Sequence, residues 1–308
     1  MFKFIFLVGV IILNKKYDIV FDFSSSPSGG ALLRIEAYAS FFSNSSIRTL
    51  FFVHHEFEQN MAEFKKIEIV SVGKKSNLSK ALGAGKYLDV LTRRPLWFYS
   101  YGIPLSRRVG ENNWLHISNI LPLYLDHIPT SYYLFLKMYL YKIHLRYRSN
   151  YCDIVSAESK FSLDLYSKHV CQNTPQVLLK NGIPEKLIVN NESNKFGYNY
   201  AVTVGTYNYK RLDVAYKVFE LIKKEFKLIK LIIIGNVNNV HKEIRCKEDV
   251  LLIDYLSDND YYATLAGAEI FLSTSSIENS SNAVIEGLCL SKKLLLVTYH
   301  HIVRYCPL

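Results

Sequence analysis

The chain has 308 residues, with 37 Lys and Arg against 27 Asp and Glu, a net charge of +10, and 49% hydrophobic and 21% charged residues. That length is long for one domain and comfortable for two, and the composition excludes a disordered, collagenous or low-complexity chain. Five cysteines, Cys152, Cys171, Cys246, Cys289 and Cys306, show neither Cys-x-x-Cys nor His-rich spacing. This speaks against a zinc site or a disulfide framework and fits a reducing cytoplasm.

The charge is uneven. Residues 1–195 carry 24 Lys and Arg against 15 Asp and Glu, whereas residues 196–308 carry 13 against 12. A basic N-terminal part suits nucleic acid or an anionic membrane surface. The apolar run Phe4 to Leu13 is too short to span a bilayer, and no small-residue cleavage site follows it. It reads as a buried strand or a short surface-seeking extension.

In chain order, Tyr17 to Phe23 reads as a buried strand, Ser24 to Gly30 as a Ser/Pro/Gly turn and Ala31 to Phe42 as a helix. Strands are expected at Arg48 to Val53 and Ile67 to Val72. His54-His55-Glu56 lacks the His-x-x-x-His spacing of a helical metal site and reads as a loop. Residues 74–113 do not parse into elements; they mix Lys/Arg pairs with Tyr, Trp and Pro. Trp114 to Ser118 is a strand, Ser131 to Arg148 a very aromatic helix, Cys152 to Ala157 a strand, Ser159 to His169 a helix and Pro175 to Leu179 a strand.

A segment rich in Asn, Glu, Lys and Gly then breaks the pattern. It divides the chain into an N-terminal domain over 1–181, a linker over 182–198 and a C-terminal domain over 199–308. Beyond it, strands at 200–204, 228–234, 250–253, 270–273 and 293–298 alternate with helices at 212–224, 258–266 and 282–290. Both halves therefore predict an α/β protein of two doubly wound, Rossmann-like parallel-sheet domains facing a cleft, with ligands beyond the carboxyl ends of the strands.

Three elements of the second half carry chemistry. The strand Val202 to Gly205 is followed by a turn into Lys210-Arg211. The strand Ile232 to Ile234 ends at Gly235. Glu278 and Glu286 flank Asn279-Ser280-Ser281-Asn282-Ala283-Val284-Ile285, a small-polar loop running into a helix. A helix start with small side chains suits phosphate, and carboxylates on either side suit the hydroxyls of sugars. Lys210 or Arg211 could neutralise a diphosphate held there. The chain has neither GxxxxGK[ST] nor GxGxxG, so kinase-like and dinucleotide readings have no support.

The combination resembles the retaining family-4 glycosyltransferases of the GT-B fold, the glycosyl transferases group 1, whose signature sets two glutamates at the spacing of Glu278 and Glu286. Lys180-Asn181-Gly182-Ile183-Pro184 is similar to that family's hinge element, Asp153 to Ser159 to its last N-domain strand, and Ser28-Gly29-Gly30 to its N-terminal glycine loop. The resemblance implies that Glu278 contacts the donor sugar and Glu286 the ribose. It also implies that Ser280, Ser281 and Asn282 offer backbone amides to the diphosphate, that Lys210 binds its oxygens, and that Gly205, Gly29 and Gly30 approach the donor. The family's cleft-facing histidine corresponds to His116, without the usual His-Asp pair, or is replaced by Asn119. Thr206 stands where the family often has Arg, and Arg211 is the candidate replacement. Family chains usually continue past Thr298, so the resemblance implies an incomplete C-terminal domain.

The expected function follows from that resemblance. It is transfer of a sugar from a UDP- or GDP-linked donor to a glycan or lipid-linked acceptor, in assembly of a surface polysaccharide such as O-antigen, capsule or exopolysaccharide. Configuration is retained, and no cofactor or metal is expected. The aromatic-basic stretches 91–108 and 131–148 read either as core aromatics with solvated cations or as an interfacial surface. With the resemblance, they place the protein in the cytoplasm, peripheral at the inner face of an anionic membrane, with no nucleic-acid partner. A sugar-nucleotide epimerase and an inactive nucleotide-sugar-binding protein are the alternatives.

Overall fold

The computed structural model describes residues 16–25, 30–61, 63–64, 66–73, 88, 91, 93–125, 132–182 and 195–296. Two compact units divide the chain, the first ending at Asn181 and the second beginning at Gly182.

The first unit is built on a seven-stranded sheet in the order β3-β2-β1-β4-β5-β6-β7. Its strands are β1 (Ile19–Phe23), β2 (Thr49–His54), β3 (Glu68–Val72), β4 (Trp97–Tyr101), β5 (Asn112–Ile117), β6 (Ile154–Ala157) and β7 (Gln176–Leu178). Every pairing is parallel. The helices are α1 (Gly30–Ser43), α2 (Glu58–Met61), α3 (Tyr132–Arg148) and α4 (Lys160–His169). Parallel strands buried on both faces need no polar alternation, which is why β2 is buried at all six positions. Ser159 caps α4, its hydroxyl accepting the Ser162 N–H at 3.2 Å.

One strand was not legible in the sequence. β4 lies inside the unparsed stretch 74–113 and pairs with both β1 and β5. Its aromatics belong to the core: Tyr99 and Tyr101 pack with Phe21, Phe23 and Phe51, the Phe23 and Tyr101 rings 5.1 Å apart. For residues 97–101 the core reading of the aromatics therefore holds. On α3 the opposite is true. Tyr132, Tyr133, Phe135, Leu136, Tyr139 and Leu140 are all exposed.

The second unit holds a five-stranded parallel sheet in the order β10-β9-β8-β11-β12. Its strands are β8 (Tyr200–Val204), β9 (Lys230–Ile234), β10 (Val250–Ile253), β11 (Ile270–Ser273) and β12 (Leu294–Leu296). The helices are α5 (Leu212–Glu225), α6 (Lys242–Arg245), α7 (Asp258–Ala266) and α8 (Asn282–Leu290). α5 carries Asp213 in its first turn and Lys223 and Lys224 in its last, matching the helix dipole, and buries Leu212, Ala215 and Phe219. Strand order reverses beside β8, which brings the loops after β8, β9 and β11 to one carboxyl edge. Among the described residues, no helix is long and apolar enough to cross a membrane.

Candidate functional site

At the carboxyl edge of the second sheet, β8 ends in Gly205, whose φ is +92°. A side chain there would be strained by the backbone alone, and its Cβ would fall 2.9 Å from Lys210 Cε. Glycine thus lets the lysine stem lie against the strand end. Gly235, at the end of β9 with φ +139°, leaves room in the same way for Thr206, whose Cγ2 would lie 3.1 Å from an added Cβ.

The Lys210 ammonium forms an ion pair with Glu278 Oε1, which also accepts the Ser275 hydroxyl at 2.8 Å. The loop after β11 is clamped onto the loop after β8. Thr274 Oγ1 donates to the carbonyl of Lys210 at 2.8 Å, and the Ser276 N–H to that of Tyr209 at 2.7 Å. Tyr209 stacks on Tyr207, and burial, with the Glu278 charge beside it, pushes its hydroxyl pKa up. Arg211, in the left-handed region at φ 51°, makes a two-pronged pair with Asp213 at 3.0 and 2.9 Å. The adjacent cations of the sequence therefore diverge: Lys210 turns to Glu278, Arg211 to the first turn of α5.

Glu286 lies on α8 and is only 6% exposed. It accepts the Tyr261 hydroxyl at 2.7 Å. Burial raises its pKa, the Tyr261 hydrogen bond opposes this and the charge of Asp258 adds to it. The neighbouring Gly287 explains the depth. A Cβ there would meet the Phe271 ring of β11 at 2.3–2.7 Å, so glycine allows α8 to seat directly on the sheet. Ser281 is the N-cap of α8, but its side chain makes no capping hydrogen bond. Ser280 precedes this start and Asn282 is the first residue of the helix. An uncapped N-terminal turn next to a Lys–Glu pair and a buried carboxylate is a chemically coherent site for an anion carrying hydroxyls. Tyr261 was missed in the sequence, where nothing marks it as a partner of Glu286 25 residues away.

In the first unit His116 is fully buried near the end of β5, stacked on Tyr101 at 5.2 Å. Trp114 Nε1–H can only donate, so Ser156 Oγ accepts from it at 2.7 Å. His116 Nδ1 shares a hydrogen bond with the same Ser156 hydroxyl at 2.8 Å. Its Nε2 faces Glu158 Oε1 at 3.6 Å. Burial lowers the His116 pKa; Glu158 works against that shift and the Arg34 charge with it. Arg34, from α1, donates to Glu158 Oε1 at 3.2 Å, to the Leu179 carbonyl at 3.5 Å and to Asn181 Oδ1. Arg34 and Glu158 are 8% and 6% exposed. The alternative Asn119 accepts the Leu121 N–H at 2.9 Å.

Of the glycine loop, Gly30 is the first residue of α1, while Gly29 lies outside the described residues, as do residues 183–194 of the expected linker and residues 297–308. His54, His55 and Glu56 bring three ligand-type atoms within 4.8 Å of one another, but His54 Nδ1 accepts the Glu56 N–H at 3.4 Å.

Similarity to solved structures decides the architecture. The chain aligns over 90% of its length with the N-terminal domain of Candida albicans trehalose-6-phosphate phosphatase, at TM-score 0.63, 12% identity and 82% coverage of that chain. It aligns equally far with Thermosynechococcus elongatus sucrose-phosphate synthase, at TM-score 0.62, 10% identity and 80% coverage. It does so too with an Escherichia coli trehalose-6-phosphate structure bound with UDP-2-fluoro glucose, at TM-score 0.58, 11% identity and 84% coverage. The fold is that of the GT-B glycosyltransferases. At these identities the likeness concerns the fold, so the chemistry of this chain rests on its own residues. No protein-family model and no curated protein sequence matches the chain.

Proposed function

We propose that the protein is a glycosyltransferase that moves a sugar from a nucleotide-sugar donor to a glycan or lipid-linked acceptor in surface polysaccharide assembly, with retention of configuration. The observation that carries this reading is the grouping of Lys210, Glu278 and the start of α8, with Glu286 one helical stretch further on, at one carboxyl edge of a parallel sheet. In this reading the Lys210 ammonium and the first amides of α8 take the diphosphate, and stabilise it as it leaves. Ser280, Ser281 and Asn282 supply the amides, Gly205 the close approach of the strand end. Glu278 orients the donor sugar and Glu286 the ribose. Arg211 borders the donor, while roles for Gly29, Gly30 and His116 rest on the family resemblance alone. No metal or cofactor is required for this chemistry, since cations and helix-end dipoles supply the charge stabilisation.

The E. coli structure bound with UDP-2-fluoro glucose supports a nucleotide-linked donor on this fold. The exposed aromatic face of α3, flanked by Lys137, Lys142 and Arg146, supports a cytoplasmic protein held peripherally at the inner face of an anionic membrane.

The test is transfer from UDP- and GDP-sugars to a lipid-linked glycan pool by wild-type, Glu278→Ala and Glu286→Ala proteins. Loss of transfer in both variants, with donor hydrolysis and epimerisation absent in all three, is the expected result. Wild-type transfer by both variants would overturn the site.

A further inference from the structure

At the opposite, amino-terminal edge of the first sheet, the segments leading into β4 and β5 enclose a cavity of about 270 Å³. Four arginines line it, Arg93, Arg94, Arg107 and Arg108, together with Leu88, Leu91 and Val109. Guanidinium groups gathered in one concavity repel one another, and the arrangement is stable when an anion sits among them.

Three acids among the described residues at this edge are already engaged. Asp18 pairs with Arg48, Glu111 with Lys16, and Asp153 with Arg108 at 2.6 and 2.8 Å. Asp153 also accepts the Asn113 N–H at 2.8 Å; burial opposes its ionisation, but these bonds hold its carboxyl below the ordinary value. Among the described residues, no carboxylate forms a salt bridge with Arg93 or Arg94. Arg108 is thus offset by Asp153, whereas Arg93 and Arg94 bring positive charge that no salt bridge among the described residues offsets.

We propose that this cavity binds a phosphate group. Its chemistry is that of the guanidinium fork, which matches phosphate oxygens two at a time. Its volume admits a phosphate and a few attached atoms and is small for a whole nucleotide. Two sources share that chemistry: a phospholipid headgroup and a soluble phosphate ester. The headgroup is favoured by what adjoins the cavity. Arg148, in the last turn of α3, donates to the Ser106 carbonyl at 2.7 Å, tying the exposed aromatic helix to the residue before Arg107. The proposal does not depend on the roles of the sugar-transfer residues.

The experiment compares the wild-type chain, an Arg93→Gln/Arg94→Gln/Arg107→Gln variant, and a control with the same loss of charge, Lys217→Gln/Lys224→Gln/Lys227→Gln. All six side chains are exposed, so both variants are expected to fold, which near-UV circular dichroism checks. If the triple arginine variant unfolds, Arg93→Gln and Arg94→Gln are used singly. Probes are vesicles of phosphatidylglycerol, vesicles of phosphatidylcholine, glycerol 3-phosphate by calorimetry, and a single-stranded oligonucleotide. The expected result is salt-sensitive binding to phosphatidylglycerol vesicles, weakened about tenfold or more in the arginine variant and less than about twofold in the control. Binding of glycerol 3-phosphate that the arginine variant loses supports the site and assigns it to a soluble ester. No binding of any probe, equal loss in both variants, or stronger arginine-dependent binding of a single-stranded oligonucleotide than of either phosphate probe would overturn the proposal.

Discussion

Lys210 and Glu278 meet across 68 residues of chain, the lysine stem lying over Gly205 and its ammonium against the glutamate carboxylate. The pair is mostly buried, at 14% and 21% side-chain exposure. Each partner is thus held in place by the backbone of a different strand end. Lys210→Met and Glu278→Gln are each expected to lower sugar transfer about 10²-fold or more, through loss of a positioned charge. The double variant should fall by much less than the product of the two, because the residues act as one unit. Initial rates from the four proteins give the coupling.

Gly287→Ala drives a methyl group into the Phe271 ring, itself 1% exposed. Overpacking of this kind costs about 1–3 kcal/mol. The melting temperature should drop, and Phe271→Leu added to Gly287→Ala should recover part of the loss. Absence of recovery would locate the damage elsewhere than in this contact.

The raised pKa of Glu286 has a pH signature. Between the ordinary carboxylate value and its folded value, the folded protein holds the proton more tightly than the unfolded chain does. Glu286 therefore subtracts stability as pH rises through that window. Denaturant unfolding of Glu286→Gln against wild type should show the difference shifting in favour of the variant as pH rises above about 4. A constant difference would show that the carboxyl titrates normally.

His116 behaves in the opposite sense. Its lowered folded pKa means that the unfolded chain takes up the proton first, so stability is lost as pH falls below about 6.5. His116→Asn should flatten that decline. Glu158→Gln, by contrast, leaves the buried Arg34 uncompensated and should cost about 3–5 kcal/mol near neutral pH.

The exposed residues of α3 fall on one face about 160° wide at 3.6 residues per turn. Leu136→Glu/Leu140→Glu should abolish flotation with phosphatidylglycerol vesicles while leaving the melting temperature within a few degrees, since both side chains already face solvent. Unchanged flotation would remove α3 from the membrane contact.

Much of the second unit could be read directly from the sequence. The predicted bounds of β8, β10, α7, β11 and α8 coincide with the observed ones. Short apolar strands there are separated by polar turns and capped helices, such as α7 with Ser257 accepting the Asp260 N–H at 3.2 Å. β4 escaped because Trp97 to Tyr101 has no polar alternation and stands among Arg-Arg and Pro, so its aromatics could not be told from a surface stretch. Glu278, Glu286 and Lys210 were visible because two lie in one local pattern and the third opens a helix. Arg34, Glu158 and Tyr261 were not, because their partners are fixed by strand order and not by spacing along the chain.

The Arg34 guanidinium reaches chain segments 124 to 147 residues further on. A nascent chain that has not yet reached Glu158 carries α1 with a cation that has no carboxylate to bury against. The first unit is accordingly expected to complete its folding late in synthesis, after β6 and the segment through Asn181 have emerged. Truncations that end between α3 and β6 should be retained by chaperones or degraded, whereas a chain extending a few residues past Asn181 holds every partner this arginine has among the described residues.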